Sequence, residues 1–427
     1  MHRTRAVVPL IALVAPLGVV VGAAVPVAAE TTCDGKVPTI VAVAGAPTTG
    51  TAGDDVILGT FARDLIDGGA GNDAICGLGN GDTLIGGPGD DRLFGGLDDQ
   101  YVPDDGYFGD TLVPGPGDDH VDLGDDPASA DVVDVDRPAR YDRVVYEDAP
   151  GPVTVDLSAG TATGEGRDTI VVPTYSGGIV GSAYDDVLTG TDGPDRIVGG
   201  AGDDRIHALG GNDELEPGKG DDVVRGGGGD DFIMSPDTGR DRLYGDGGED
   251  FVEAHGRGSA IGGGGGDDFL VAHLGADVHG GSGEDGITAD IDRRKGQEVD
   301  GGPGRDIVRL RARTADFEPG TRWVVDVPRE RVTADSRKQL VYQGIDDLRF
   351  YGPRGRLTYL GRSGRDVVSA AGALRLTAYG RGGRDILVGG RFADLLDGGP
   401  GRDDLVGGPG RDRCVNGESL RQCEARR

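Results

Sequence analysis

The chain has 427 residues, of which 82 are glycine, and only 36 % of the residues are apolar. Glycine usually supplies ~7 % of a sequence, so this composition excludes a broad globular core but allows a narrow one between stacked repeats. The net charge of −31 makes nucleic acid a poor partner. A metal-free chain with this much self-repulsion should resemble a disordered one, so we expect a cationic ligand.

The first 29 residues predict a secretory signal peptide. Two arginines precede an apolar stretch over residues 6–24, and Val-Ala-Ala at 27–29 fits a cleavage site. A membrane anchor is the alternative, which the two prolines of the apolar stretch disfavour. No later stretch is apolar for ~20 residues. We therefore expect no membrane span after cleavage and a secreted, extracellular location.

Four cysteines fit an oxidising compartment. Cys414 and Cys423 lie nine residues apart after the last repeat and could form one disulfide bond. Cys33 and Cys76 would then tie an N-terminal cap, residues 30–49, to the third repeat. Other pairings stay open, because four cysteines allow three connectivities. A zinc site is disfavoured because the chain has no C-x-x-C pair.

A nine-residue pattern, G-G-x-G-x-D-x-U-x with U a large apolar residue, begins at Gly50. GTAGDDVIL, GTFARDLID, GGAGNDAIC, GLGNGDTLI and GGPGDDRLF follow one another without a gap. The degraded unit GGLDDQYVP and, after one inserted residue, DGYFGDTLV and PGPGDDHVD complete a first repeat block over residues 50–122. Residues 123–180 leave the pattern. Their segment VTVDLSAGTATG predicts two short strands around a turn, so this region is expected to be a strand-rich insert.

The pattern returns in a second block over residues 181–309 and a third over residues 361–415. Residues 310–360 form a second predicted strand-rich insert, whose WVVDVPRERVTA loosely echoes the first, and residues 416–427 form a C-terminal cap. Residues 301–427 contain 24 Arg and Lys against 17 Asp and Glu. The excess arises because the fifth position of the repeat is mainly acidic or Asn in early units and mostly Arg in late ones.

The repeat predicts an all-β fold, a parallel β-roll or β-helix solenoid. If two nonapeptides make one 18-residue rung, every second unit lies about 4.8 Å above its predecessor, the spacing of paired strands. The apolar residue at position eight would then point inward and stack into a continuous core. This row comprises Ile57, Ile66, Ile75, Leu84, Leu93, Leu188, Ile197, Ile206, Leu215, Val224, Ile233, Leu387, Leu396 and Leu405.

The glycine-rich half of each repeat predicts calcium sites. Glycine at positions one, two and four permits positive φ and lets backbone carbonyls converge, and the aspartate at position six adds a carboxylate. Such a set of oxygens suits Ca²⁺, with its 6–8 oxygen ligands, better than Mg²⁺, Zn²⁺ or Cu²⁺. We expect multiple Ca²⁺ ions between stacked turns. The candidate ligands are Asp55, Asp64, Asp73, Asp82, Asp91, Asp186, Asp195, Asp204, Asp213, Asp222, Asp231, Asp241, Asp250, Asp268, Asp385, Asp394, Asp403 and Asp412.

A solenoid held by stacking alone, with solvated aspartates in its turns, is the alternative. It is stronger for the third block, where a fifth-position arginine would stand beside each ion. The acidic stretch from Asp125 to Asp136 is interpreted as a solvated loop rather than an extra cation site.

The sequence contains no pattern typical of an enzyme. H-E-x-x-H, G-x-S-x-G and the phosphate-binding loop are all missing. Each histidine within the repeats is interpreted as a tolerated substitution rather than a metal ligand. We therefore expect neither catalytic residues nor an organic cofactor. The histidines are His2, His120, His207, His255, His273 and His279.

These nonapeptides resemble the RTX, or haemolysin-type, calcium-binding repeats. The flanking segments CDGKVPTI and GGPGRDRCVNGESLRQCE resemble the ends of secreted repeat proteins of actinobacteria. The resemblance implies a β-roll that orders on binding calcium through the position-six aspartates. The chain departs from many members in two respects: its non-repeat segments are too short for a catalytic or pore-forming domain, and its secretion signal is N-terminal.

The expected function is that of a secreted calcium-binding protein without catalytic activity. An alternative is a cell-surface adhesin or matrix component that uses the roll as a spacer, with cell-wall or extracellular polysaccharide or protein as the partner of the inserts. A hydrolase is less favoured, because the candidate pairs of carboxylates all lie inside the predicted metal turns.

Overall fold

A computed structural model describes residues 32–97, 109–124, 142–172, 177–291, 296–313, 316–335, 337–343 and 347–424. The predicted signal peptide and the acidic stretch from Asp125 to Asp136 lie outside these ranges. None of the helical structure within them is long and apolar enough to cross a membrane.

The described chain is a parallel β-solenoid, as the repeat predicts. Ile57 pairs with Ile75 in parallel register, and Ile66 pairs with Leu84. Each unit therefore lies beside the unit two repeats later, and one rung contains two nonapeptides. The 18-residue rung is confirmed.

The first block and the first insert consist of short strands, most of three residues. Within the repeat units, each strand begins directly after the position-six aspartate and includes the apolar position eight. Their bounds are Ile40–Val41, Thr48–Thr49, Val56–Leu58, Leu65–Asp67, Ala74–Gly79, Thr83–Ile85, Arg92–Leu97, Thr111–Val113, His120–Asp122, Arg143–Val145, Thr154–Asp156, Thr161–Thr163 and Arg167–Val171.

Many strands of the second block are longer, because pairing resumes after position one: Gly200 pairs with Gly218 and Ala201 with Lys219. The strands are Gly177–Val180, Val187–Thr189, Asp195–Ala201, Arg205–Gly210, Glu214–Lys219, Val223–Gly228, Phe232–Ser235, Arg242–Gly247, Phe251–Ala254, Ala260–Gly265, Phe269–Ala272, Asp277–Ser282, Gly286–Ile291, Gln297–Asp300 and Ile307–Ala312.

The second insert and the third block complete the coil. A short 3-10 turn, Val327–Arg329, connects two strands of the insert. The strands are Arg322–Asp326, Arg331–Ala334, Arg337–Gln343, Asp347–Leu360, Val367–Tyr379, Ile386–Val388, Leu395–Asp397, Asp404–Val406, Arg413–Val415 and Ser419–Arg421.

Each insert contains an antiparallel hairpin, and both hairpins join the coil. Thr154–Asp156 pairs with Thr161–Thr163, the two strands expected from VTVDLSAGTATG, and also continues in parallel onto Val187–Thr189. Arg322–Asp326 pairs antiparallel with Arg331–Ala334 and in parallel with Asp347–Leu360. The inserts therefore extend the ladder of the solenoid.

The core is a single row of apolar side chains along the coil. Every predicted position-eight residue is buried, with no side chain more than 2 % exposed. Burial of one such side chain stabilises the fold by about 1.5–3 kcal/mol. The two predicted disulfide bonds, Cys33–Cys76 and Cys414–Cys423, are present at the two ends of this row.

Candidate metal sites in the repeat turns

All 18 predicted aspartate ligands are buried, and none is more than 7 % exposed. Each lies where its glycine-rich turn enters the following strand. Burial of this extent argues against solvated turn residues, since an ionised carboxylate away from water is costly unless it is paired. The turns thus hold their acidic side chains inside the coil.

A chain of hydrogen bonds, here called the inner ladder, connects these aspartates along the coil. The Asp55 N–H donates to Asp73 Oδ1 over 2.7 Å, and the Asp73 N–H donates to Asp91 Oδ1 over 2.7 Å. Asp186 and Asp204 are related in the same way, over 2.8 Å. Each carboxylate therefore accepts a backbone N–H from the rung before it.

The inner ladder sorts the predicted residues into columns. Successive aspartates of one column belong to successive rungs. Different columns lie on different sides of the coil or in different repeat blocks. The columns are Asp55–Asp73–Asp91, Asp64–Asp82, Asp186–Asp204–Asp222–Asp241, Asp195–Asp213–Asp231–Asp250–Asp268, Asp385–Asp403 and Asp394–Asp412.

Seven further aspartates, which the sequence analysis does not name as candidate ligands, occupy equivalent buried positions. Most lie at position six of a repeat unit and could have been found from the pattern. Asp142 and Asp168 belong to the first insert, and only the register of the rungs places them in the ladder, where they accept the N–H groups of Asp110 and Asp119. The seven are Asp110, Asp119, Asp142, Asp168, Asp285, Asp306 and Asp366.

The second carboxylate oxygen of many of these aspartates is buried without a hydrogen-bond partner. A buried polar atom in this state destabilises the protein by about 1–3 kcal/mol unless a ligand or proton satisfies it. The orphaned atoms recur from rung to rung and therefore form rows. They include the Oδ2 atoms of Asp73, Asp91, Asp119, Asp204, Asp213, Asp222, Asp231, Asp250, Asp268, Asp285, Asp385, Asp403 and Asp412.

These oxygens face the glycine at position one of the turn. A Cβ atom at Gly68 would lie 2.6 Å from Asp73 Oδ2 and 2.8 Å from the carbonyl oxygen of Gly86 in the next rung. Position one is therefore glycine because carboxylate and carbonyl oxygens converge on it. Hard oxygen donors from two rungs around one point are the donor set that Ca²⁺ prefers.

The expectation of positive φ at position one is wrong. In the repeat that begins at Gly199, the positive φ values belong to Gly200 (113°) and Gly202 (120°), at positions two and four. Gly199 is required for space instead, since a Cβ there would lie 2.5 Å from Asp204 Oδ2.

Burial raises the pKa of many inner-ladder aspartates above the usual range for a carboxyl group. The pKa rises to about 8 for Asp213, to about 7 for Asp204 and to about 6 for Asp385. Burial is the largest cause in each case, and neighbouring aspartates add to it. Without a cation, Asp213 and Asp204 therefore hold a proton for much of the time at neutral pH, and a bound cation would replace that proton.

A second chain of hydrogen bonds, here called the outer ladder, connects the exposed position-five residues in the opposite direction. The Asp203 N–H donates to Asp185 Oδ1 over 2.8 Å, and the Asp221 N–H donates to Asp203 Oδ1 over 2.9 Å. Arginine at this position cannot accept a hydrogen bond. In the third block the Arg402 N–H donates instead to the carbonyl oxygen of Gly383, over 3.2 Å.

The model of the RTX calcium-binding nonapeptide repeat matches this chain over residues 49–84, 77–99, 180–215, 218–235, 237–256 and 379–414. All the predicted aspartate ligands except Asp268 lie within these ranges. No curated protein matches the chain. The chain therefore contains RTX calcium-binding nonapeptide repeats, and these repeats are arranged as a parallel β-solenoid.

Proposed function

We propose that this protein binds Ca²⁺ between stacked turns through its position-six aspartates, and that the bound ions fold the coil outside the cell. The observation that supports the proposal is the row of orphaned Oδ2 atoms, which faces the carbonyl oxygens of the neighbouring rung. Calcium would satisfy both sets of oxygens at once. Its role would be structural, without catalysis.

The charge of the chain makes calcium a condition of folding under this proposal. With a net charge of −31 and columns of buried carboxylates, the metal-free coil must either hold protons or repel itself. Metal-binding energy then becomes folding energy. Extracellular calcium modules bind with dissociation constants of about 10⁻⁴–10⁻³ M, so the coil would fold on leaving the cell.

The test is circular dichroism of the chain from residue 30 at pH 7.5, in EDTA and then in 5 mM CaCl₂. We expect the β signal to increase strongly on adding calcium and to disappear again on adding excess EDTA. MgCl₂ at the same concentration should produce little change, because Mg²⁺ demands a stricter octahedron of ligands. A β spectrum that is the same in EDTA and in calcium would overturn the structural role.

Calorimetry then tests which residues bind the ions. A calcium titration of the chain should show several ions per molecule. Replacement of Asp204, Asp213, Asp222 and Asp231 together by asparagine should remove the sites at these four turns and lower the number of ions bound. The control replaces Asp246, Asp277, Asp300 and Asp335, which lie outside position six. If the two variants bind equal numbers of ions, the position-six assignment is wrong.

A further inference from the structure

One column of the inner ladder loses its carboxylates partway through the second block. The Asp241 N–H donates to Ser259 Oγ over 3.0 Å, where another aspartate would be expected. The strand register then places Ala276 in the following rung. At the same two turns, positions one and two change from glycine to Ala-His, at residues 254–255 and 272–273. These two turns therefore lack the carboxylate oxygens that would bind calcium, and they contain imidazole nitrogens instead.

The two histidines lie one above the other. His255 and His273 are 18 residues apart, which is one rung, and their ring centroids are 4.2 Å apart. Glu253, from the strand Phe251–Ala254, lies against both rings. Its Oε1 atom is 2.9 Å from His255 Nε2 and 2.9 Å from His273 Nε2. Three potential ligand atoms therefore converge, all within 4.8 Å of one another.

A fourth side chain holds one of the rings in place. His273 Nδ1 lies 3.3 Å from Asp290 Oδ2, and the other oxygen of Asp290 accepts a hydrogen bond from Arg311 Nε over 2.8 Å. Asp290 comes from the next rung and is largely buried. This contact directs His273 Nε2 towards Glu253 and His255. A carboxylate behind a ligating histidine is a recurrent feature of protein metal sites.

We propose that Glu253, His255 and His273 form a binding site for a divalent transition-metal ion, separate from the calcium turns. Two imidazole nitrogens and one carboxylate oxygen suit Zn²⁺, whereas Ca²⁺ requires oxygen ligands. Ligand atoms on a tetrahedral Zn²⁺ ion are ~3.3 Å apart, so small side-chain movements from the observed spacing complete the site. Three protein ligands leave one position for water or another ligand.

The site is accessible from solvent. The side chains of His255, His273 and Glu253 are 41 %, 23 % and 21 % exposed, so an ion can enter without opening the coil. Sequence reasoning treated each histidine alone and interpreted each one as a tolerated substitution. The signal that could have revealed the pair is their separation of one rung, with Glu253 two residues before the first.

The experiment measures Zn²⁺ binding by calorimetry and by metal analysis after dialysis, with the chain from residue 30 kept in saturating CaCl₂. We expect one Zn²⁺ ion per chain. The variant His255→Ala/His273→Ala should lose this ion, whereas the control His207→Ala/His279→Ala, at exposed repeat positions, should keep it. Replacement of Asp290 by asparagine should weaken binding by about tenfold or more, because it releases the ring of His273.

Substitution of Co²⁺ for Zn²⁺ adds a spectroscopic test, since nitrogen and oxygen ligands in a tetrahedral site give strong visible absorption. The variant Glu253→Gln keeps the size of the side chain and should lose both that absorption and tight Zn²⁺ binding. Circular dichroism in calcium establishes that each variant is folded. The proposal fails if the unmodified chain binds no Zn²⁺, or if folded Glu253→Gln and the double histidine variant bind it as tightly as the unmodified chain.

Discussion

The second and third repeat blocks share one internal construction but differ at their surface. In both blocks the inner ladder connects successive rungs: the Asp186 N–H donates to Asp204 Oδ1 over 2.8 Å, and the Asp385 N–H donates to Asp403 Oδ1 over 2.9 Å. Both also bury the position-eight leucines, such as Leu215 and Leu396. The outer ladder of the second block has no counterpart around Arg402, whose N–H donates to a glycine carbonyl.

The comparison separates two roles within one nonapeptide. The aspartate at position six and the apolar residue at position eight are common to both blocks, and in both they lie inside the coil. Position five varies from acid to arginine without changing the register of the strands. It therefore sets the charge at the turn surface rather than the architecture.

The arginine that reaches a buried aspartate in the third block is at position two, not at position five. Arg362 Nε lies 3.7 Å from Asp366 Oδ1. Burial raises the pKa of Asp366, and the charges of Arg362 and Arg381 oppose that rise. The sequence predicts that the arginine at position five lies beside the ion in this block. In the structure, Arg362 at position two is the residue that lies near a buried aspartate, Asp366.

The largest expected difference between the blocks is their response to pH without calcium. A pKa that is raised in the folded state adds stability below the unfolded value of 3.8, and this stability is lost as pH rises through the folded pKa. That value is about 8 for Asp213 and about 6 for Asp385. In EDTA we therefore expect stability to fall from pH 4 upwards, until about pH 6 in the third block and about pH 8 in the second.

Thermal melts by circular dichroism in EDTA would check the overall trend, and hydrogen exchange corrected for its intrinsic pH dependence would resolve the two blocks. Calcium should reverse the trend, because protons and Ca²⁺ compete for the same carboxylates. A metal-free chain that becomes more stable from pH 4 to pH 8 would contradict the burial of these groups.

The next largest effect is the loss of stability when a core leucine is truncated, and it should be the same in both blocks. Replacement of Leu215 or Leu396 by alanine leaves a cavity in the apolar row and should destabilise the surrounding rungs by about 2–5 kcal/mol. Hydrogen exchange in calcium measures the local free energy of opening for each variant. Leu420→Ala, at a half-exposed position, is the control and should cost less than ~0.5 kcal/mol. A much smaller cost for Leu396→Ala would show that the third block is packed more loosely.

Much of this construction is contained in the period of the sequence. The nine-residue spacing of the apolar residues predicted the core row, because a strand places alternate side chains on opposite faces. The 18-residue rung was an assumption about how the repeats stack, and the strand register confirms it. The direction of the two ladders was not predictable, since it depends on the rotation of each carboxylate. Asp142 and Asp168 were missed for another reason: they lie in an insert without the repeat, and only its pairing with neighbouring rungs brings them into line.

A smaller effect should distinguish the metal affinities of the two blocks. Asp213→Asn removes a carboxylate from a site surrounded by acidic neighbours, and we expect calcium affinity there to fall by about tenfold, or 1.4 kcal/mol. Asp385→Asn should lower affinity less, because we expect the neighbouring arginines of the third block to weaken calcium binding there. In EDTA at pH 8 the Asp213→Asn variant should instead retain more β structure than the unmodified chain, since a buried charge has been removed.

Calcium titrations followed by calorimetry, together with melts in EDTA, measure both effects of these substitutions. Equal losses of calcium affinity in the two variants would mean that the surface charge of a turn does not influence its ion. Stabilisation of Asp213→Asn in calcium as well as in EDTA would mean that this carboxylate binds no metal.

The smallest effect is expected from a substitution that restores a hydrogen bond of the outer ladder in the third block. Arg384→Asp places a carboxylate one rung before Arg402, whose N–H now donates to Gly383 over 3.2 Å. A new hydrogen bond at this exposed position should add up to ~1 kcal/mol of local stability, and the loss of a cation should raise calcium affinity several-fold. Arg384→Ala removes the same cation without supplying an acceptor. Equal protection of the two variants from hydrogen exchange in calcium would mean that the added stability comes only from removing the repulsion between the arginine and the ion. Greater protection of the aspartate variant would show that the hydrogen bond of the outer ladder itself stabilises the turn.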